Sequence, residues 1–280
     1  MKKVAIQGIA GSFHDIAARE YFNTEEIEIV PCETFKELFA TLRKDNTIIG
    51  ALAIENTIAG SLLPNHNLLK ESELKIVGEH KLRIKHCIVG LPGQEISDIK
   101  EVYSHPIALM QCGDFLEQHR QIKAIESDDT ASSAKRISEE KSEGKAAICS
   151  ELAAEIYGLK ILEKGIETNK KNFTRFLIIA DPWLAEDLNK GKKPNKSSLV
   201  FTLPHEEGSL AHVLSILSYY KLNLTKIQSL PIIGHEWEYE FYVNLKFEDY
   251  LRYNQALAAI KPLTRDLRVL GEYEEGRQTI

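Results

Sequence analysis

The sequence predicts an α/β fold followed by a smaller βαββαβ sandwich, and two observations carry that expectation. Over roughly the first two thirds of the chain, short β-like runs alternate with helical patterns. After a break rich in Pro, Gly, Lys and Ser at 181–198, the rhythm changes to six elements in about 80 residues. Strands alternating with helices make largely parallel sheets, whereas the order βαββαβ is the split βαβ plan of a ferredoxin-like unit.

The strand-like runs of the first part are "KKVAIQ", "IEIVP", "TIIGALAI", "KIVGEHKLRI", "HCIVGL", "IKEVYS", "QIKAIES", "KAAICS" and "RFLIIAD". They are short, rich in Val, Ile and Leu, and bounded by polar turns. Between them "SFHDIAAREYF", "TFKELFATLRK" and "PIALMQCGDFLEQH" read as helices. Ligands of such folds bind at the carboxyl ends of strands, where helix-start amides are open. In the second part, "SLVFTLP" is a strand and "GSLAHVLSILSYY" is an amphipathic helix. Its Leu210, Val213, Leu214 and Leu217 recur at i, i+3, i+4 and i+7. "NLTKIQSLP" and "YEFYVNLKF" follow as strands, "YLRYNQALAAI" as a helix and "RDLRVLGEY" as a last strand. A sheet covered on one side only leaves its other face or its edges to a partner, so self-association is expected.

Composition narrows the function classes. The chain has 280 residues, 43% apolar and 27% charged, and no segment long enough to span a bilayer. The net charge of −6 is even: 27 Lys+Arg face 30 Asp+Glu over 1–196, and 8 face 11 over 197–280. No basic footprint for nucleic acid results. The opening "MKKVAIQGIA" reads as a first strand rather than a signal peptide, and a cytoplasmic protein is expected. Four dispersed cysteines without a C-x-x-C pair argue against a disulfide framework or a zinc site, and nine scattered histidines suggest no metal.

Several motifs place polar groups at strand ends. "QGIAGSFHD" puts Gly8 and Gly11 before a helix that Ser12 can cap. "LAIENTIAGSLL" ends a strand at Glu55 and follows it with Asn56, Thr57, Gly60 and Ser61, short polar groups suited to a carboxylate or to a cap. "SHPIALMQC" and "ESDDTASSA" start helices after strands. Gln111 lies in the first of these, on an otherwise apolar face. "KKNFTRF" sets Thr174 and Arg175 at the mouth of an apolar run.

Taken in series, "GSF" at 11–13, "ENT" with Gly60 at 55–60, "HPIALMQC" at 105–112, "DDTASSA" at 128–134, "NFTRF" at 172–176 and "GSL…NLTKIQSLP" at 208–231 resemble prephenate dehydratase over nearly the whole chain. The resemblance implies a two-lobe domain like the type II periplasmic-binding fold over 1–182, with lobes about 1–75 plus 176–182 and 76–175. It implies a linker at 183–197 and a ferredoxin-like ACT regulatory domain at 198–280. The family converts prephenate to phenylpyruvate by loss of water and carbon dioxide, without cofactor or metal, under inhibition by L-phenylalanine. By the same resemblance the catalytic groups are Thr174 as hydroxyl donor, Arg175 as carboxylate clamp and Phe176 as ring wall. Ser12, Phe13, Asn56, Thr57, Gly60, Gln111 and Asn172 would bind substrate. Gly208, Ser209, Leu210, Asn223, Leu224 and Thr225 would bind phenylalanine between subunits of a homodimer or homotetramer. No nucleic acid or membrane partner is implied.

Two tensions accompany this assignment. A regular strand over 173–180 puts Thr174 and Phe176 on one face and Arg175 on the other. Either the segment is irregular, or Arg175 ties segments together and amides near Ser12 and Thr57 form the clamp. The family commonly has Glu-Ser-Arg-Pro where this chain has Gln228-Ser229-Leu230-Pro231, which removes a charge pair near the effector signature. Arogenate dehydratase and a two-lobe cytosolic sensor without chemistry are the alternatives.

Overall fold

The first strand, β1 (Lys2–Gln7), buries Val4, Ala5 and Ile6 in succession, as a strand covered on both faces does. In this computed structural model, which describes every residue except 24, 233, 235–237 and 280, β1 opens a sheet-and-helix series. It continues with α1 (Phe13–Phe22), β2 (Ile27–Cys32), α2 (Phe35–Lys44), β3 (Ile49–Asn56), the short β4 (Gly60–Ser61), α3 (Leu63–Glu71) and β5 (Lys75–Arg83). A second series holds β6 (Cys87–Gly90), β7 (Glu101–Ser104), α4 (Pro106–Gln111), α5 (Gly113–Gln118), β8 (Lys123–Glu126), α6 (Thr130–Glu140), β9 (Lys145–Cys149), α7 (Glu151–Ile156) and β10 (Lys160–Lys164). Then come β11 (Phe173–Ala180), α8 (Pro182–Asn189), β12 (Lys196–Thr202), α9 (Ser209–Tyr219), β13 (Asn223–Pro231), β14 (Tyr239–Lys246), α10 (Tyr250–Ile260) and β15 (Arg265–Tyr273).

Among the described residues three sheets form. The first runs β2-β1-β3-β11-β5, with β1 parallel to both its neighbours and β4 paired to β3. The second runs β10-β6-β9-β7-β8, where β7 is parallel to β8 and β9 while β6 is antiparallel to β9 and β10. The third, β13-β14-β12-β15, is antiparallel throughout. Its order is that of the expected ferredoxin-like sandwich.

Packing divides the chain into two units. One comprises Met1–Leu62, His80–Phe176 and Gln278–Ile280, and the other Leu63–Glu79 and Leu177–Arg277. The division falls within β5 and β11. In the first unit the chain leaves the first sheet after Arg83 and rejoins it at Phe173, rather than crossing first near 75. The whole stretch Lys75–Arg83 stays with the first sheet as β5, which moves the crossing later. The helix expected over "PIALMQCGDFLEQH" is two: Cys112, with φ −105° and ψ 24°, ends α4 and starts α5.

In the second unit α9 and α10 lay Val213, Leu217, Tyr253 and Ile260 on Leu199, Phe201, Val243 and Leu245 of the sheet. Lys196, 1% exposed, donates to the buried carboxylate of Glu79 at 2.7 Å. Gly271 allows Ile76 to approach: a Cβ there would stand 2.2 Å from the Ile76 carbonyl oxygen. The stretch read as linker, 183–197, begins inside α8. Asp181 caps that helix by accepting from the Trp183 amide at 3.0 Å, and Pro182 occupies its first turn.

Candidate active site

The cavity of interest, about 620 Å³, lies in the first unit. Its lining comes from segments that follow β1, β2, β3, β7 and β8, the carboxyl ends of five strands. Four helices start there. Ser12 caps α1 by accepting from the Asp15 amide at 3.3 Å, and Thr34 caps α2 from Glu37 at 3.1 Å. His105 Nδ1 caps α4 from Ile107 at 3.2 Å, and Asp129 caps α6 from Ser132 at 2.9 Å. All four caps line the cavity, so the positive ends of four helices open on it. Among the described residues, no Lys or Arg belongs to the lining. Glu33 and Asp128 contribute exposed carboxylates.

β11 enters this cavity as a regular strand. Thr174 and Phe176 line it, while Arg175, between them, does not. Arg175 is 7% exposed, and its Nη1 meets Glu55 Oε1 at 3.0 Å. The strand alternation therefore holds, and Arg175 braces β11 to β3 instead of facing the cavity.

A ladder of amides fixes Thr174. Asn56 Oδ1 accepts from the backbone amides of Ile58 (2.9 Å) and Ala59 (2.8 Å). Its Nδ2 then donates to Asn172 Oδ1 (2.8 Å) and Thr174 Oγ1 (2.9 Å), with the Phe173 carbonyl at 3.2 Å. Asn172, fully buried, donates through Nδ2 to Gln111 Oε1 at 2.9 Å. Gln111 Oε1 also contacts His86 Nε2 at 3.0 Å. Thr57 ties the same strand end: its amide donates to the Phe173 carbonyl, and its hydroxyl donates to the Lys171 carbonyl and accepts from the Phe173 amide.

Among the expected substrate-binding residues, Ser12, Phe13, Asn56 and Gln111 line the cavity, and Thr57, Gly60 and Asn172 do not. Asn56 contributes lining, yet both ends of its amide are spent on protein partners. Thr57 and Asn172 hold the strand end from behind, and Gly60 supplies a turn at φ 82°.

Two histidines went unread in the sequence. His14 lines the cavity with its ring 5.0 Å from Phe176, edge-on, and 5.6 Å from Phe35. Burial lowers its pKa from 6.5 to about 4, and its buried Nε2 has no hydrogen-bond partner among the described residues. His86 is 2% exposed and edge-on to Phe13 at 5.3 Å. Burial is the main cause of its lowered pKa, with the Gln111 bond and Glu167 opposing. A histidine inside "KLRIKHCIVGL" was the available signal.

The cysteines offer no nucleophile. All four are buried and free, and burial pushes Cys87 up to about 11 and Cys112 up to about 12. No cluster of His, Cys, Asp or Glu suits a metal among the described residues. No helix among them is long and apolar enough to cross a membrane. In the second unit, Gly208 starts α9 at φ 79° without a side-chain cap, with Ser209 and Leu210 in the first turn. Asn223, Leu224 and Thr225 open β13, and Asn223 borders a separate cavity of about 450 Å³.

Comparison with known proteins bears on this geometry. A sequence model of the family described as prephenate dehydratase matches residues 4–182. Arogenate dehydratase/prephenate dehydratase 2, chloroplastic, of Arabidopsis thaliana is 36% identical, over 97% of this chain and 72% of its own. The crystal structure of prephenate dehydratase in complex with L-Phe from Arthrobacter aurescens superimposes with a TM-score of 0.85 at 26% identity, covering 99% of this chain and 92% of that one. GqqA, described as a novel type of quorum quenching acylase, superimposes at 0.86 with 28% identity over 98% of each chain.

Proposed function

Because this chain belongs to the prephenate dehydratase family, we propose that it eliminates water and carbon dioxide from prephenate to form phenylpyruvate, a carbon–oxygen lyase reaction. The observation that carries the reading is the meeting of four capped helix N-termini at one cavity. Prephenate brings two carboxylates, and open amides at positive helix ends hold carboxylates without a buried cation. Phe176 offers an apolar face to the ring that becomes aromatic.

Thr174 is the proton-side group. Its Oγ1 accepts from Asn56, so its own hydrogen is free for the leaving oxygen. The hydroxyl is too basic to surrender a proton outright at neutral pH. It donates a hydrogen bond that strengthens as charge grows on that oxygen, or relays a proton from water. Hydrolysis of an acyl group would instead need a base drawing the proton from a nucleophile, and the sole described partner of Thr174 Oγ1 is a donor.

Residues 1–182 act as the catalytic part in this reading, and 198–280 as an ACT domain. Gly208–Leu210 and Asn223–Thr225 take L-phenylalanine there, and the minimum assembly is a dimer. The L-Phe complex of the Arthrobacter protein supports the effector. Leu230, in place of the family's arginine, bears on the strength of inhibition. A cytoplasmic setting suits the chemistry.

Arogenate is a second reading, favoured by a specific feature. The acidic groups of Glu33 and Asp128 accompany the cavity while its described lining holds no Lys or Arg, and arogenate carries an ammonium where prephenate has a keto oxygen. Steady-state assays on both substrates, with and without L-phenylalanine, test the proposal. Phenylpyruvate from prephenate, read by its absorbance in alkali and falling with phenylalanine, supports the first reading. Phenylalanine formed from arogenate at a higher kcat/KM supports the second. Inertness toward both removes the proposal.

A further inference from the structure

We propose that a second cavity of the first unit binds a small carboxylic acid with an apolar body, the carboxylate going to Arg83 and the body lying on α1. The cavity, about 340 Å³, shares only Phe13 with the lining of the larger one.

Its walls set the ligand class. Phe13, Ile16 and Glu20 recur at i, i+3 and i+7, so one stripe of α1 faces it. Phe13 and Ile16 pack with the buried Leu82 of β5, and Leu152 of α7 adds a further apolar side chain. Arg19, Arg83 and Lys85 bring three cations, where the described lining of the larger cavity has none. Glu20 and Glu151 bring two acids, and both are engaged. Glu20 Oε2 meets His80 Nε2 at 2.8 Å and accepts from the Thr279 hydroxyl at 2.6 Å. Glu151 Oε2 accepts from Lys164 at 2.5 Å.

Arg83 is the anchor. Its side chain is 24% exposed, yet none of its five N–H donors makes a hydrogen bond among the described residues. Its ion-pair partner, Glu167 Oε1, stands 3.8 Å from Nη2, too far for a hydrogen bond. Glu167 is itself held elsewhere, since its Oε2 accepts from the His86 amide at 3.0 Å. The Arg83 Nε is closed off from solvent, whereas its terminal nitrogens keep access. Arg19, by contrast, already donates Nε to Asp15 at 2.7 Å. A largely buried guanidinium without hydrogen bonds is costly, and its planar fork matches a carboxylate.

An inorganic anion would leave the apolar walls without a partner. An amino acid would set an ammonium among three cations while the acids of the lining are engaged elsewhere. The ligand that fits is a carboxylate on an apolar body with no amine, such as an arylalkanoate or an aryl keto acid. The product of the dehydratase reaction proposed above is one such acid, although the site does not depend on that reading.

Calorimetric titration of the full chain with hydrocinnamate tests the site. Arg83→Gln removes the fork and Leu152→Trp fills the cavity, and neither residue lines the larger cavity. Each should weaken binding about tenfold or more, the worth of a charge-assisted hydrogen bond in the first case. Thr174→Val, in the larger cavity, should bind as the wild type does. Arg83 and Leu152 variants that keep wild-type affinity, or a wild type that takes up no acid, overturn the proposal. Acetate, which lacks the apolar body, and β-phenylalanine, which adds an ammonium, should both bind more weakly than hydrocinnamate; equal affinity for either overturns the ligand class. Should a variant fail to fold, the wild type alone decides. Crystals soaked with para-bromohydrocinnamate should show the bromine beside Ile16 and Leu152, and bromine confined to the larger cavity or to the second unit is equally fatal. Every readout is binding, so inertness toward prephenate overturns the dehydratase reading without touching this one.

Discussion

His14→Phe isolates the cost of burying one polar ring in the cavity wall. In the folded chain burial brings His14 from 6.5 to about 4, and the rings of Phe35 and Phe176 pack against it. Because the folded value lies below the unfolded one, the unfolded chain binds the proton first as pH falls. Stability is intact above 6.5 and drains between 6.5 and about 4. At about 1.4 kcal/mol per pH unit the full gap amounts to about 3 kcal/mol, of which about 2 kcal/mol is lost by pH 5. For a chain of this size each kcal/mol moves Tm by roughly 2–4 °C, so the wild type should lose roughly 4–8 °C more than His14→Phe between pH 7.5 and 5. Scanning calorimetry of both proteins at both pH values measures it. Parallel declines would refute the reasoning, since they would mean His14 protonates as easily folded as unfolded.

Three further outcomes follow from named contacts. Asn56→Asp turns a donor into an acceptor against three acceptors, so Thr174 spends its hydrogen on the new carboxylate; kcat for prephenate should fall roughly 100-fold or more with little change in KM. Glu55→Gln weakens the tie to the buried Arg175, and urea unfolding should show a loss of about 1–3 kcal/mol while KM stays within about twofold. A sharp KM change instead would return Arg175 to the substrate. Gly11→Ala places a Cβ 2.7 Å from Ala153 Cα at a φ of 84°, and denaturant midpoints should report a cost of at least about 2 kcal/mol.

The sequence showed the architecture where periodicity was strong. The βαββαβ order and most strands of both larger sheets were legible because the runs were bounded by turn residues, whereas β4 (Gly60–Ser61) and β10 (Lys160–Lys164) were not among the runs read as strands. The first crossing was misplaced by about eight residues, since nothing in "KIVGEHKLRI" tells which sheet the strand joins. Cys112-Gly113 broke a helix that apolar spacing alone had carried through. At the site, strand alternation raised the question of Arg175 but left it open; the fold sets Thr174 and Phe176 in the cavity lining and pairs Arg175 with Glu55.

What the sequence could not show was how the amides are spent. Asn56 meets residues 116 and 118 positions away, Asn172 meets Gln111 across 61, and Gln111 meets His86 across 25. Only the fold brings such distant groups to one wall. Asn56, Thr57 and Asn172 therefore looked like ligand groups when their bonds go largely to protein. His14 and His86 looked like incidental members of a helix and of a strand-like run. Burial, which a sequence does not display residue by residue, is what lowers both pKa values beside the cavity that Thr174 lines.

The central claim is that Thr174 aids departure of the ring hydroxyl within this cavity. Its most direct test is kcat at saturating prephenate for the wild type and for Thr174→Val, which keeps the branched shape of a strand residue and removes the hydroxyl. The account predicts phenylpyruvate formation by the wild type and a fall of about 10²- to 10⁴-fold in the variant, with an unchanged circular dichroism spectrum. A Thr174→Val protein that keeps most of the wild-type turnover would contradict it.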